Sequence, residues 1–256
     1  MAGSLDPAYH RQGVTVSSST SVSIEIADCL LREIMSGQYR VGERMPSERD
    51  LSARFGVSRG AVREALSQLG QQGIIDIQPG GVRVKRLEEA SLAVLGPLLA
   101  LEPIPDPSLV DQFLEIFSVL TVLTVKRALE QADSEQMIQL KKMLVEMSHS
   151  AKDPKAMRPH WEAMLDYMAG INNNLVARLI GNDLKAQIIG QMMQLHIQPS
   201  LPANSGPELV ASLRKAFDRK DGNAAAAAFE KNFNELRLAM GDALEAMRIS
   251  IKQQAV

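Results

Sequence analysis

Two features of the sequence predict a mainly α-helical fold with one small β-hairpin. Apolar residues recur at helical spacing along most of the 256-residue chain, and a strand pattern occurs only near residues 74–84. The charge is also uneven, because segment 40–86 contains nine Lys/Arg and five Asp/Glu while the whole chain has a net charge of −2. We therefore expect a basic N-terminal unit, suited to a polyanionic partner, and a larger acidic helical unit. A chance cluster of surface charges is the alternative until motifs are considered.

Residues 1–21 are predicted to be a flexible arm. They lack apolar periodicity, contain the polar run SSSTS at 17–21, and lack the apolar core of a signal peptide. The single cysteine, Cys29, cannot form a disulfide within the chain, which fits a reducing cytoplasm. The apolar stretch 113–125 is shorter than the roughly 20 residues that span a bilayer, so we expect a buried helix there and no membrane association.

The segment 22–86 begins with two predicted helices. Apolar residues at helical spacing from about Val22 predict the first helix, which ends near Gly37. Ser47 is a candidate N-cap of the second helix, because a capping hydroxyl and early acidic residues both stabilise the positive end of a helix. Gly56 ends the second helix and allows a tight turn.

The third helix has an apolar stripe on one face and two arginines on the other. Ser58 is its candidate N-cap, and Gly73 ends it. The stripe has the spacing i, i+3, i+4 and i+7 and consists of Val62, Ala65, Leu66 and Leu69. Arg59 and Arg63 are four residues apart and therefore share the opposite face. Guanidinium groups near the N-terminal end of a helix suit the major groove, where they bind guanine edges or phosphates.

The two arginines by themselves have a plainer explanation, in which Arg63 pairs with Glu64 or Glu48 on a solvated surface. The segments after the third helix favour DNA binding instead, because they read as a strand, a turn and a returning strand. These segments are IIDIQ at 74–78, PGG at 79–81 and VRV at 82–84. A helix, a helix–turn–helix and a two-stranded wing together make a winged helix-turn-helix domain.

The segment GERMPSERDLSARFGVSRGAVREALSQLGQQGII (42–75) closely resembles the DNA-binding domain of GntR-type bacterial transcription regulators. The resemblance implies a dimer that binds a short palindromic operator in double-stranded DNA, in the manner of other dimeric helix-turn-helix proteins. It also implies that the wing tip enters the minor groove. The implied DNA contacts are Arg49, Ser58, Arg59, Arg63, Gly80 and Gly81.

Residues 87–256 are predicted to form an antiparallel helical bundle. The predicted helices are 87–102, 108–131, 134–150, 155–170, 174–196, 207–219 and 223–250. Their order and length resemble the FadR-like branch of the same family. This resemblance implies an effector-binding and dimerisation domain, although the dimer surface could lie in the winged domain, in the bundle or in both.

The ligand-binding residues of that branch are largely replaced in this chain. In that branch, an arginine binds the carboxylate of the effector, and the aligned position in this chain is Phe117 or Ser118. The places of the branch's metal ligands align with His160 and Met164, with Val210 or Ala211, and with Asn232. The chain has four histidines, and no two of them have the spacing that places two ligands on one helix face. We therefore predict no bound metal and no cofactor, and interpret His160 as a structural or pocket-rim residue.

The effector pocket is predicted to be apolar. Thirteen methionines suit irregular apolar cavities, although ordinary core packing explains them as well. The candidate lining residues are Phe117, His160, Trp161, Met164, Met192 and Asn232. The founding fatty-acid regulator of the branch also lacks the metal ligands and binds acyl-coenzyme A, so we expect an acyl-CoA or a fatty acid as effector. A small carboxylate is the alternative.

The sequence bears on three classes of function: a ligand-responsive regulator, an enzyme and an effector-independent DNA-binding protein. A ligand-responsive transcription regulator, cytoplasmic and bound to the bacterial nucleoid, is expected. An enzyme is disfavoured, because no serine–histidine–aspartate order, CxxC, HExxH or phosphate-binding glycine loop stands out. An effector-independent DNA-binding protein is the third class. The expected protein is a repressor whose operator affinity falls when the effector binds. The sequence leaves open whether the effector releases or promotes DNA binding, and whether the protein activates or represses.

Overall fold

The structure, a computed structural model, describes residues 18–195, 197 and 199–254, apart from the side chains of 18–21, 188–195, 252 and 254. The chain divides into two compact units, with the boundary between Pro97 and Leu98. The mainly α-helical fold class is confirmed, and the strands form one two-stranded sheet within the described residues.

The first unit contains three helices followed by a hairpin, as predicted. The helices are α1 (Ser18–Met35), α2 (Glu48–Phe55) and α3 (Arg59–Gln71), and the strands are β1 (Ile75–Gln78) and β2 (Gly81–Val84). The start of α1 corrects the predicted arm, which extended to residue 21. Once an apolar stripe has nucleated a helix, adding a polar residue is inexpensive, so the helix continues back to Ser18. The rest of the predicted arm, residues 1–17, lies outside the described residues.

The core of the first unit lies where α1 and α2 both pack on α3. Its fully buried leucines and valine come from all three helices. They are Leu30, Leu31, Leu51, Val62, Leu66 and Leu69. The predicted apolar stripe of α3 is therefore the face that α3 turns to the core.

The segment 87–102, predicted as one helix, is broken, and the prediction was wrong. It forms 3-10 turns at Leu87–Glu89 and Leu92–Val94, and the short helix α4 at Leu95–Leu99. Between the turns, the backbone of Ala90 and Ser91 is extended, and the Ser91 N–H donates to Gln72 O at 2.8 Å. This tertiary bond holds the segment to the first unit, so that unit ends later than the predicted boundary after residue 86.

The second unit consists of long helices joined by short connections. They are α5 (Pro107–Gln131), α6 (Ser134–His149), α7 (Pro154–Asn172), α8 (Leu175–Leu195), α9 (Ser205–Arg219) and α10 (Gly222–Gln254). Each matches a predicted segment to within a few residues. Side-chain caps fix several starts: Asp133 forms a capping box with Gln136 at α6, and Asp106 and Asp153 cap α5 and α7.

The core of the bundle forms around α5, which packs against α10 and α7. Phe229 and Phe233 of α10 are buried, and Trp161 of α7 lies against both rings. Phe117 of α5 contacts Phe233 edge to face, with ring centroids 5.9 Å apart. The middle of the bundle is therefore filled by aromatic side chains.

Helix α5 is long and apolar enough to cross a membrane by length and composition alone. It has 25 residues. The apolar segment 113–125 is only part of this helix, so the expectation that it is too short to span a bilayer does not hold for the whole of α5. Its buried face includes Val110, Phe113, Leu114, Val125 and Leu129, and α10 and α7 cover it. These contacts bury one face of α5 in the bundle, whereas Ile116 and Val119 on the helix are exposed, so the predicted buried helix is buried only in part.

Candidate nucleic-acid interface and ligand cavity

Local backbone signals position the recognition helix α3. Gly56 ends α2 in the left-handed conformation, with φ of 67°, and the chain turns at once into α3. Ser58 caps α3, because its Oγ accepts a hydrogen bond from the Ala61 N–H at 3.2 Å. Ser47 caps α2 in the same way through the N–H of Asp50. The two helices of the helix-turn-helix therefore begin where the sequence predicts.

The two arginines of α3 lie on its exposed face. Arg63 forms a bidentate ion pair with Glu48 of α2, with Nε 3.1 Å from Oε1 and Nη2 2.8 Å from Oε2. This hydrogen bonding lowers the pKa of the Glu48 carboxyl. Arg59 is exposed and has no ion pair with any described residue. In the free protein, Glu48 therefore orients the guanidinium group of Arg63, whereas no ion pair with a described residue orients that of Arg59.

Two further predicted contacts flank the recognition helix. The Arg49 side chain is 76% exposed and is near Asp50, with Nε 3.5 Å from Oδ1. The hydroxyl oxygen of Ser58 is engaged in the cap, but its O–H can still donate to a phosphate. Both residues lie at the start of their helices, where backbone N–H groups favour an anion.

The wing is a tight hairpin in which Pro79 and Gly80 form the loop between β1 and β2, and Gln78 pairs with Gly81. Gly81 has φ of 120°, and a Cβ added there would lie 2.5 Å from the Arg44 Nε. The backbone conformation therefore favours glycine at this position, whereas the flexible Arg44 side chain could move to make room for a Cβ.

Arg44 is a candidate DNA contact that the sequence analysis missed. It is exposed, and it is placed beside the wing by a backbone bridge to Arg83. The neighbouring N–H of Met45 donates to Val82 O at 2.9 Å, which extends the wing sideways. The only sequence signal was the charge of segment 40–86, because Arg44 is some 40 residues from the wing along the chain.

The predicted pocket residues whose side chains the structure describes differ in their surroundings. His160 is exposed, Met164 is fully buried, and Asn232 is half-buried. Phe117 and Trp161 come together, but they do so in the aromatic core around Phe233. The side chain of Met192 lies outside the described residues.

The places of the branch's metal ligands are divided between the core and the surface. Met164 and Val210 are core residues, whereas His160 and Ala211 are exposed. Within the described residues, no three His, Cys, Asp or Glu side chains are grouped so that they could hold a metal ion. The absence of a metal stays a prediction.

A separate cavity of about 190 Å³ lies between α5, α7 and α8. Its lining is mixed, with aliphatic and aromatic carbon as well as hydroxyl, amide, carboxylate, guanidinium and ammonium groups. The lining residues are Phe117, Leu120, Thr121, Thr124, Leu165, Asp166, Ala169, Asn172, Asn174, Ala177, Arg178, Gly181, Asn182 and Lys185. Among the predicted pocket residues with described side chains, Phe117 is the one that belongs to this lining.

The polar groups of this cavity differ in how they are satisfied. Lys185 pairs with Asp166 at 2.9 Å, and Asn174 accepts from the Ala177 N–H at 3.1 Å. Asn172 is buried, and its Oδ1 has no hydrogen-bond partner among the described residues. The sequence did contain a signal for this site, since the run NNN at 172–174 is followed by Arg178 and Lys185, seven residues apart on α8.

Comparison with known proteins connects these features to transcription regulation. Residues 23–84 match the family model described as bacterial regulatory proteins, gntR family. The Uxu operon regulator of Haemophilus influenzae is 25% identical over 235 residues, which cover 88% of this chain and 80% of that protein.

Two further similarities are informative. The fatty acid metabolism regulator protein of Shewanella halifaxensis is 33% identical over 113 residues, which cover 43% of this chain and 47% of that protein. A solved structure of Lar, described as controlling the expression of the Listeria monocytogenes agr system, covers 90% of this chain and 98% of its own. At 16% identity and a TM-score of 0.51, this similarity shows the fold alone. These relatives are regulators, not enzymes, as the sequence predicts.

Proposed function

We propose that this chain, a transcriptional regulator of the GntR family, binds a palindromic operator as a homodimer and responds to a small-molecule effector. The proposal rests mainly on one observation, the exposed arginine face of α3 beside the wing. The apolar stripe of α3 is buried, so the face with Arg59 and Arg63 is free for a partner. A helix presented in this way fits the major groove of double-stranded DNA.

The residues of this interface have separate proposed roles. Arg59 and Arg63 reach base edges or phosphates in the major groove, while Arg49 and Ser58 bind the backbone at the helix starts. Gly80 and Gly81 bring the wing backbone close to the minor groove, where a larger residue would clash. Arg44 beside Gly81 adds a phosphate contact. The result is a basic surface that follows one half-site.

Selection from a randomised DNA pool tests the operator proposal directly. The full chain is immobilised, bound sequences are amplified, and the enriched sequences are compared. We expect an inverted repeat, because a dimer with two-fold symmetry reads two equal half-sites. Sedimentation velocity on the purified chain, with and without the selected duplex, should give a dimer in the complex. Enrichment of sequences without inverted symmetry, or none, would contradict the proposal.

The effector is proposed to bind the helical unit. The sequence predicts an acyl-CoA or fatty acid, and the partial similarity to fatty acid metabolism regulators supports that class. The alternative, a small carboxylate, is favoured by a specific observation: the cavity between α5, α7 and α8 is small and has cationic groups in its lining. An acyl chain needs an apolar channel, whereas the described core of the bundle is filled by Trp161, Phe229 and Phe233.

Regulation is proposed to follow from linkage between the two binding events. The two DNA-binding domains of the dimer are proposed to have two relative placements, one of which fits the operator better. An effector that binds one placement more tightly changes operator affinity, at most by the ratio of its affinities for the two placements. Operator binding by fluorescence anisotropy, repeated at increasing effector concentration, measures this coupling. If no effector of either class changes operator affinity, the effector-independent alternative is supported. In either case the protein would act in the bacterial cytoplasm, on nucleoid DNA.

A further inference from the structure

We propose that the outer face of the wing binds the DNA backbone, with Arg83 of β2 contacting a phosphate next to the one bound by Arg44. The outer face is the exposed side of the wing on which Arg44, Arg83 and Asp76 lie. This inference rests on the proposed function and deepens it, because it adds Arg83 to the DNA contacts of the same half-site. The wing then contacts DNA along its length and not at its tip alone.

The segment 42–45 lies against β2 as a short third strand of the wing. The N–H of its first residue donates to Val84 O at 2.8 Å. Successive side chains of a strand point to opposite faces. Since Met45 and Val84 are both buried, their neighbours Arg44 and Arg83 lie together on the opposite face, where both are exposed.

The outer face has three charged side chains in one row across the strands. Arg83 is directly opposite Arg44 on one neighbouring strand and directly opposite Asp76 on the other. Like charges that face each other across an antiparallel pair destabilise a sheet. The pairing of two arginines is therefore unfavourable in the free protein, and an anion bound at this face would relieve their repulsion.

The nearest carboxylates do not neutralise the two arginines. Asp76 accepts a hydrogen bond from Gln78 Nε2 at 2.5 Å, and the Glu43 carboxylate accepts from the Arg40 N–H at 2.8 Å. Within the described residues, neither arginine of the outer face forms an ion pair with either of these carboxylates. The outer face therefore keeps its positive charge.

The Arg83 guanidinium is oriented and still has donors to offer. Its Nη1 donates to Gly42 O at 2.8 Å, which uses one of the five N–H groups of a guanidinium. The Arg44 side chain extends the other way, because its Nε lies close to Gly81 at the wing tip. The two guanidinium groups are therefore separated along the wing, which suits two phosphates better than one.

The DNA backbone supplies anions in this arrangement. Its phosphates follow one another at regular spacing along each strand, and a guanidinium can bind phosphate oxygens through two parallel hydrogen bonds. Gly81 at the wing tip already belongs to the proposed interface, and the outer face continues from it. Contacts to phosphates carry no sequence information, so Arg83 should contribute equally to binding of every DNA sequence.

The salt dependence of DNA binding tests this contact in the full-length protein. Each phosphate contact adds about 0.9 to the slope of log affinity against log salt concentration, and a dimer has two copies of Arg83. Arg83→Gln should therefore reduce the slope by about 1.8, on the selected duplex and on unrelated DNA alike. At low salt it should weaken binding about tenfold or more. An unchanged slope would overturn the proposal.

Two further variants separate the phosphate contact from net charge and from wing structure. Arg86→Gln removes an equal charge from an exposed residue just after β2 that pairs with Glu88, and it should leave the slope unchanged. Arg83→Lys keeps the charge but loses the guanidinium that bonds to Gly42, and it should retain the slope. An equal reduction in Arg86→Gln, or a reduction in Arg83→Lys as large as in Arg83→Gln, would overturn the proposal.

Neutral methylphosphonate linkages locate the phosphate itself. They are placed one at a time along the selected duplex, and the affinities of the parent and of Arg83→Gln are compared. One linkage in each half-site should weaken binding by the parent and have little effect on Arg83→Gln, because the partner of that phosphate is already absent. If both proteins respond equally to every linkage, Arg83 contacts no phosphate.

The remaining outcomes separate DNA from a free anion and this inference from the proposed function. Calorimetric titration with inorganic phosphate should show no saturable binding, and binding that Arg83→Gln removes without changing the salt slope would assign the outer face to a free anion. If the selected duplex binds and the slope is unchanged in Arg83→Gln, only this inference fails. If no duplex binds, the proposed function and this inference fail together.

Discussion

Arg59 and Arg63 share one face of α3, yet their surroundings differ. Arg63 donates two hydrogen bonds to Glu48, whereas Arg59 has no ion pair among the described residues. An ion pair between exposed side chains contributes little to stability, because both groups are well solvated when apart. Its main consequence here is orientation of the Arg63 fork before DNA arrives.

Replacing Arg59 tests whether it reads bases. Arg59→Ala should cost about 1–3 kcal/mol of binding free energy on the best operator. The cost should be small on an operator in which the base pair contacted by Arg59 has been changed, because a bidentate base contact depends on sequence. Arg49→Ala, as the comparison, should weaken binding to every sequence alike. Affinities across a set of single-base operator variants provide the measurement. A uniform loss for Arg59→Ala would make that residue a phosphate contact only.

Glu48 is predicted to be a positioning residue for Arg63. Glu48→Gln should raise affinity for unrelated DNA, because a negative charge is removed from the interface. The same change should lower the ratio of operator affinity to unrelated-DNA affinity by about three- to tenfold, since Arg63 loses its orientation. Glu64→Gln removes an equal charge from an exposed position of α3 and serves as control. If both variants lower the affinity ratio equally at the same salt concentration, Glu48 acts only through its charge and does not orient Arg63.

Among the elements, α1 and α2 are joined by an ion pair between a buried glutamate and a partly exposed arginine. Glu33 of α1 is 8% exposed and accepts from both terminal nitrogens of Arg54. Tyr39 also accepts from Arg54, at 3.2 Å, and the Cys29 thiol donates to Glu33 at 3.6 Å. The hydrogen bond from Arg54 keeps the pKa of the Glu33 carboxyl below its ordinary value of 4.5.

This pair predicts a dependence of stability on pH. A carboxyl whose pKa is lowered on folding stabilises the folded protein above its ordinary pKa, and this contribution is lost as pH falls below that value. Glu33→Gln should therefore lower stability at pH 7 by about 1–3 kcal/mol and flatten the loss of stability below about pH 4.5. Urea unfolding across a pH series measures both effects. A variant as stable as the parent at pH 7 would show that the pair contributes nothing.

Helix starts and turns that depend on local bonds were predicted correctly, whereas a segment broken by a tertiary bond was not. The positions of Ser47, Gly56 and Ser58 depend on bonds within a few residues, and the structure confirms each of them. The segment 87–102 has good helical spacing but is broken, because Ser91 bonds to Gln72 in another part of the first unit. Periodicity reports which faces are apolar, and it does not report such a competing tertiary bond.

In the second unit, the packing of whole helices depends on a few large side chains. Phe233 of α10 is buried between Phe117 and Trp161. Phe233→Ala should lower the free energy of unfolding by about 3–5 kcal/mol, through lost contacts and the cavity that remains. Leu238→Ala on the same helix, where the side chain is 72% exposed, should change it by less than about 0.5 kcal/mol. Similar losses in both variants would contradict this role.

The prediction of no bound metal applies to the whole molecule. Dialysis against a chelator should leave both the melting temperature and operator affinity unchanged, because a metal that binds only the folded protein would stabilise it and its removal would lower the melting temperature. The protein dialysed against buffer alone provides the control. Stoichiometric zinc or nickel in the purified protein, or a lower melting temperature after chelation, would show that a metal site exists.

The winged helix-turn-helix, the helical bundle and the arginine face of α3 could be predicted from the sequence, because caps, glycine turns and apolar spacing act over a few residues. Other features became visible in the folded chain: Glu48 pairs with Arg63, Arg44 lies beside Gly81, and Asn172 and Arg178 line one cavity. These pairs come from different helices and loops. Their meeting depends on how the elements pack, and spacing along one element cannot specify that.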